Sequence, residues 1–342
     1  IGFGKHKGKK VWEVPETYWQ SFCTKNGYAY SSLLAKIDEA RHHRDLLESK
    51  PARRKIDPSA IKEWFFPHQK HFLINYGDLP YSNLWAAIGT GKTLADLEWI
   101  RQKIRTKDKI LILCPKGVFS SWNESILEYL GPKATYINIT GTTDEKLQRL
   151  SYDRYFYITN YETLLNERIL AALIEKGFSF IVPDEAHKFL CNTKNKTYKN
   201  IMALSANIEL KQILTGTPRK KSELNLYGLV TFLDRGERFG PSFYKFREKY
   251  FQKDYMGWNY ELKPEMEKEF WDKVKSCSYV VPKSVLNLPK LDRIIREVEL
   301  TGEAKKYYEI MKKDAIIEIE RYKRDRLNKI VANIAIAKVT KL

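Results

Sequence analysis

The chain has 342 residues, of which 60 are Lys or Arg and 42 Asp or Glu, giving a net charge of +18, and 43% are hydrophobic. That apolar content suffices for packed cores and excludes a disordered tail, the length is that of about two domains, and no run of about 18 uncharged apolar residues is present to span a bilayer. The basic excess favours polyanionic partners, whose phosphate backbones release counterions to Lys and Arg, although a surface that is merely basic and soluble fits the charge as well.

The chain opens at Ile1 rather than Met, and its Gly- and Lys-rich start lacks the apolar stretch of a secretory signal, so it reads as a trimmed piece of a longer protein. Cys23, Cys114, Cys191 and Cys277 lie far apart without a CxxC pair, which argues against a zinc site or a disulfide framework and for a reducing, intracellular location. Residues 1 to 60 mix aromatics (Trp12, Tyr18, Trp19, Phe22) with charge and end in the basic turn Lys50-Pro51-Ala52-Arg53-Arg54-Lys55. They read as an accessory segment plus linker, the aromatics serving packing rather than base stacking. Arg41-His42-His43-Arg44 reads as a solvated face.

From 61 to 218, short apolar runs alternate with helical stretches. The runs are Asn83 to Ile88, Lys109 to Cys114, Ala134 to Ile139, Tyr155 to Thr159, Phe178 to Val182 and Gln212 to Thr215. Continuous runs of this length, separated by helices, predict strands buried on both faces of a mainly parallel sheet, a doubly wound α/β core. Beyond 218 the pattern turns helical and aromatic, and Gly302 to Leu342 reads as one or two closing helices.

Within this core, the strand from Asn83 runs into Gly89-Thr90-Gly91-Lys92-Thr93, after which Leu94, Leu97, Ile100 and Ile104 follow at helical spacing. Strand, glycine-rich loop and helix in that order form a phosphate cradle. The glycines let backbone N–H groups curl around phosphate oxygens, Lys92 supplies a charge for the β- and γ-phosphates, and the Thr93 hydroxyl can ligate Mg2+. Ala86 stands where the strict pattern wants glycine. Further on, Phe178 to Val182 leads through Pro183 into Asp184-Glu185-Ala186-His187. Asp184 is placed to hold the same Mg2+ and Glu185 to polarise the attacking water. His68 and His71 are i and i+3 on a helix, a spacing that suits a solvated face better than a metal pair.

GTGKT, DEAH and Leu214-Thr215-Gly216-Thr217-Pro218 in this order resemble superfamily 2 helicases. Pro67-His68-Gln69, Leu111 to Lys116 with Trp122, and Thr159-Asn160-Tyr161-Glu162-Thr163-Leu164 narrow the resemblance to Swi/Snf-type ATPases. So do Glu223-Leu224, Phe232-Leu233, Phe239-Gly240, Phe243 and Phe246, and then Leu288-Pro289-Lys290 with Val298, Leu300 and Tyr307-Tyr308. The resemblance spans about residues 61 to 340. It implies a RecA-like ATP-binding core at 61–218, a helical insertion and closing passage at 219–300, and a helical connector at 301–342 towards a second lobe without counterpart before Leu342.

The resemblance further implies that Gln69 reads adenine, that Gly89, Thr90, Gly91, Lys92 and Thr93 hold ATP, and that Lys92, Asp184 and Glu185 serve catalysis. His187, Thr215, Gly216 and Thr217 would couple hydrolysis to the track. Lys116, Ser120, Ser121, Thr159, Asn160 and Tyr161, which follow consecutive strand ends, are the candidates for gripping DNA phosphates. Arg219-Lys220-Lys221 and Ser278-Tyr279-Val280-Val281 depart from the family pattern and leave the usual contacts there in doubt. The implied activity is ATP-driven tracking along double-stranded DNA. A single lobe lacks arginine fingers worth about 10³ to 10⁵ in rate and should turn ATP over weakly. An RNA or single-strand helicase and a silent nucleic-acid platform remain the alternatives. The implied location is the cytoplasm or nucleoid for a bacterial or phage protein and the nucleus for a eukaryotic one.

Overall fold

A computed structural model describes residues 17–19, 21, 24, 53–216, 222–253, 259–286, 305, 308–310 and 312. The chain divides into two units, residues 1–287 and 288–342, and the first contains the fold described below. The expectations for Trp12, Phe22, Cys23, Arg41 to Arg44, Thr217, Arg219 to Lys221, Leu288 to Lys290, Val298, Leu300 and Tyr307 concern residues outside the described ones.

The elements alternate along the chain. They are α1 (Pro67–Tyr76), β1 (Tyr81–Ala86), α2 (Lys92–Lys103), β2 (Ile110–Leu113), α3 (Phe119–Leu130), β3 (Tyr136–Asn138) and α4 (Thr143–Ser151). Then come β4 (Phe156–Thr159), α5 (Glu167–Glu175), β5 (Phe180–Pro183), α6 (His187–Leu190), α7 (Lys196–Leu204) and β6 (Leu210–Thr215). After these lie α8 (Leu226–Asp234), α9 (Phe243–Tyr250), β7 (Phe251–Lys253), β8 (Tyr260–Leu262), α10 (Glu267–Lys275) and β9 (Ser278–Val281). Local chemistry sets several starts. Pro67 opens α1 at a position where its missing N–H costs nothing. A capping box opens α4, where the Thr142 hydroxyl accepts from Glu145 N–H and the Glu145 carboxylate accepts from Thr142 N–H.

Seven strands form one all-parallel sheet in the order β3-β4-β2-β5-β6-β1-β9. Both faces are covered. Leu111, Leu113, Ile181 and Ile213 join one core with residues of α5, α7 and α8, whereas Ile110, Ile112, Val182 and Leu214 join the other with α1, α2 and α3. Successive strand residues therefore feed opposite cores, which is why the central strands read as unbroken apolar runs. The doubly wound fold expected from the sequence is the one observed.

The region beyond 218 differs from the helical expectation. Phe251–Lys253 and Tyr260–Leu262 form an antiparallel pair, and Ser278–Val281 adds a parallel edge strand beside β1, from Asn83↔Ser278 to Ala86↔Val281. The edge strand escapes sequence reading because it is short and only half covered, with Val280 exposed, so it lacks an apolar run. Phe239, Phe246, Tyr250 and Phe270 of the insertion pack into one aromatic cluster, with Phe239 stacked on Phe270 at 5.3 Å. Tyr18 and Trp19 meet edge to face at 5.5 Å, and Trp19 is buried.

The amino-terminal ends of the strands are tied by ion pairs. Arg53 donates to Asp108, to Glu209 at 3.0 and 3.1 Å and to the Lys103 carbonyl at 3.2 Å, with its guanidinium over the Phe180 ring. Among the described residues, no helix is long and apolar enough to cross a membrane.

Candidate active site

The loops that leave the carboxyl ends of β5, β6 and β1, three neighbouring strands, carry the candidate residues. In open α/β sheets this rim is where ligands bind. The GTGKT loop turns on two glycines in the left-handed region, Gly89 at φ 87° and Gly91 at φ 73°. At Gly91 a Cβ would fall 2.3 Å from Nε2 of Gln69 and would strain the positive φ, so a side chain there would displace the Gln69 amide. The contact is functional for the loop: Gln69 Nε2 donates to the Gly91 carbonyl at 2.9 Å, and its Oε1 accepts from Phe66 N–H at 2.9 Å. His68 Nε2 lies 2.8 Å from the Thr90 carbonyl, and the Thr90 hydroxyl donates to the Ala87 carbonyl at 2.7 Å. The first turn of α1 thus braces the phosphate loop. The Gln69 amide, expected to read adenine, is buried and engaged with the loop and with its own helix start. Lys92 and Thr93, both half-buried, begin α2.

Asp184 follows β5, bridges to Leu214 of β6 and donates its N–H to the Leu113 carbonyl at 2.7 Å. Its backbone is thereby fixed on two strands. Its carboxylate accepts from Trp122 Nε1 at 3.1 Å and from Glu185 N–H at 2.9 Å, while Tyr161 OH donates to its carbonyl at 2.6 Å. Burial pushes the Asp184 carboxyl above the usual carboxylate range and Glu185 adds to this, against the pull of the Lys92 ammonium and the Trp122 donor. Lys92, the first residue of α2 after the loop that leaves β1, opens onto the same rim. Glu185 sits at φ 51°, a strained conformation for a residue with a Cβ and one that clusters at functional sites. Its carboxylate is 3.4 Å from His187 Nδ1, which in turn lies 2.8 Å from the Thr215 hydroxyl. His187 Nδ1 thus lies between the Glu185 carboxylate and the end of β6 at Thr215, with Gly216 next in sequence.

Lys116, Ser120 and Ser121 are exposed. Thr159, Asn160 and Tyr161, also expected to face DNA, are buried and engaged with their own chain. The Thr159 hydroxyl donates to the Ile139 carbonyl, the Asn160 amide donates to Glu162 while its oxygen accepts from Thr163, and the Tyr161 hydroxyl reaches Asp184. β4 is an interior strand, and the turn after it packs inward against Phe189, 3.9 Å from Tyr161 ring to ring. His71 is exposed and stacks on Tyr279 at 5.1 Å, whereas His68 is half-buried and engaged with Thr90. Among the described residues no group of three or more His, Cys, Asp or Glu could hold a metal ion by itself.

Sequence reasoning missed the loop-bracing role of His68, the donor role of Trp122 and Asp96 altogether. A buried indole N–H needs a partner, which was the available signal for Trp122. Asp96 stands between Ala95 and Leu97 in a helix whose residues from Ala95 to Ile100 are all buried; an acid there was the signal.

Comparison with known proteins adds three findings. Residues 84–339 match the family model of the SNF2-related domain. The chain is 24% identical to putative protein p41 of Acyrthosiphon pisum secondary endosymbiont phage 1 over 302 residues, 80% of this chain and 62% of that protein. It is 28% identical to the human DNA repair and recombination protein RAD54-like over 167 residues, 44% of this chain and 22% of that protein. It thus spans less than two thirds of the length of these curated relatives. Among solved structures it resembles the Sulfolobus solfataricus SWI2/SNF2 ATPase core in complex with dsDNA, with a TM-score of 0.54 at 20% identity, covering 83% of this chain and 59% of that one. That likeness establishes the fold.

Proposed function

Because the chain belongs to the family of SNF2-related domains, we propose that it is the first motor lobe of an ATP-driven translocase acting on double-stranded DNA. The observation that supports this reading is the rim shared by the Gly89–Thr93 loop after β1 and by Asp184, Glu185 and His187 after β5, with His187 reaching Thr215 at the end of β6. The loop from Gly89 to Thr93 cradles the triphosphate with backbone N–H groups, and Lys92 neutralises phosphate charge. A hydroxyl and a carboxylate are the hard oxygen donors Mg2+ takes, so Thr93 and Asp184 would hold it. When bound, that ion spreads and neutralises the charge developing on the phosphates.

Glu185 accepts the proton of the attacking water. Loss of the γ-phosphate is felt by Thr215 and Gly216, and on the same reading by Thr217, with His187 linking them to the acids. The chain's part of the reading keeps residues 1–60 as an accessory segment, 61–218 as the ATP-binding core, 219–300 as insertion and closing passage, and 301–342 as the connector to a second lobe. Lys116, Ser120 and Ser121 are the remaining phosphate-backbone candidates, contacts that position without specifying sequence. Similarity to relatives named for DNA repair and to a core crystallised with dsDNA supports duplex DNA as the track.

The test is steady-state ATP hydrolysis by the full-length protein with duplex DNA, single-stranded DNA or RNA, beside Lys92→Ala. Duplex DNA should stimulate turnover most, and the variant should lose turnover while keeping salt-sensitive DNA binding. Equal turnover by parent and variant contradicts the ATP site, and stimulation by RNA alone contradicts the track.

A further inference from the structure

Asp96 has no part in the reading so far, yet its placement is unusual. It is fully buried, and neither carboxylate oxygen has a hydrogen-bond partner. Spacing of four and three residues puts Lys92, Asp96 and Trp99 in one row along α2. Trp99, at the far end of that row, meets Phe180 edge to face at 5.6 Å. On β5, Phe180 and Val182 face the same core, and Asp184 continues their alternation.

The two rows pass each other with Trp99 at Phe180, and the row from Trp99 to Lys92 runs towards the phosphate loop, which leaves Asp96 between the Phe180 contact and the rim. The Asp184 charge acts on Asp96, second only to burial in disfavouring its ionised form. Asp96 thus holds two buried oxygens with no partner, which leaves acceptors to be satisfied when the rim is occupied. Mg2+ keeps several of its waters when bound, and those waters are donors.

We propose that Asp96 is a positioning residue of the metal site, accepting hydrogen bonds from water held by the divalent cation at Thr93 and Asp184 and so fixing where that ion sits against the phosphates. The proposal rests on the Mg-ATP reading above. Side chains that support metal ligands in this way are worth about 10- to 100-fold in metal affinity. An acid at this place gives the ion an anchor in α2 in addition to the one at the end of β5, so that the phosphate-loop helix and the β5 rim are joined through it.

The experiment measures Mn2+ binding by electron paramagnetic resonance to the full-length protein saturated with a non-hydrolysable ATP analogue, and separately the metal-free affinity for that analogue. Asp96→Asn, which keeps size and shape, should bind Mn2+ about tenfold more weakly with unchanged metal-free nucleotide affinity. Asp96→Leu fills the same space without polar atoms and should show the same loss, which covers the case of an amide that folds poorly. Parental Mn2+ affinity in either folded variant overturns the proposal. Asp184→Asn distinguishes this failure from the larger one: if it too keeps parental Mn2+ affinity, the Mg-ATP reading itself falls.

Discussion

The two ends of the sheet bury acids to a similar degree and treat them oppositely. At the amino ends, Asp234 accepts from Gly236 N–H at 2.8 Å, Arg238 N–H at 3.0 Å and the Arg238 guanidinium at 3.1 Å. Asp108 is paired with Arg53, which holds its carboxyl below the usual range against the opposing cost of burial. At the carboxyl ends, Asp184 has two donors yet is pushed upward, Asp96 has none, and Glu185 is held at a positive φ. Burial is common to both ends, so the supply of donors and cations makes the difference. The satisfied end secures the fold, and the undersupplied end is electrostatically ready for a cation-bearing ligand.

The contrast can be broken at either end. The largest effect is expected at the carboxyl end: Glu185→Gln should lower ATP turnover by about 10²- to 10⁴-fold, measured as phosphate release, with little change in denaturant midpoint. A turnover loss that only tracks unfolding would erase the distinction. At the other end, Arg53→Ala leaves Asp108 and Glu209 without their cation, and chemical denaturation should show a loss of about 3 to 5 kcal/mol. A loss below about 1 kcal/mol would mean that this end does not secure the fold.

A smaller and pH-dependent effect comes from Lys211, a buried lysine donating to the Phe232 and Leu233 carbonyls at the end of α8. Burial, with Arg235 adding, lowers it to about 7. The unfolded chain then binds more protons between pH 7 and the ordinary lysine range, so stability should rise with pH across that window and fall as pH drops towards 7. Lys211→Met should flatten that slope, of the order of 3 kcal/mol, in unfolding curves recorded from pH 7 to 10. An unchanged slope would place the titration elsewhere.

Much of this was legible in the sequence, for reasons tied to particular residues. Ile110 to Leu113 and Phe180 to Val182 announced themselves because both of their faces are buried. Ser278 to Val281 did not, since an edge strand needs only one covered face. The turn at Gly89 and Gly91 was readable because a left-handed backbone favours glycine. The burial of Thr159 and Tyr161 was not legible because a strand end does not reveal whether it is covered, and here their hydroxyls satisfy interior carbonyls. A motif does not reveal that the Gln69 amide is engaged with Gly91 and Phe66. Asp96 belongs to no spacing pattern, and its missing partners are visible only once α2 is packed on β5.

The most direct measurement is a manganese anomalous difference map from crystals of the protein grown with Mn2+ and a non-hydrolysable ATP analogue. The account predicts one strong peak within coordination distance of the Thr93 hydroxyl and the Asp184 side, next to the β- and γ-phosphates, with Lys92 on the same phosphates. A nucleotide seated away from the Gly89–Thr93 loop, or a metal peak remote from Asp184, would contradict it.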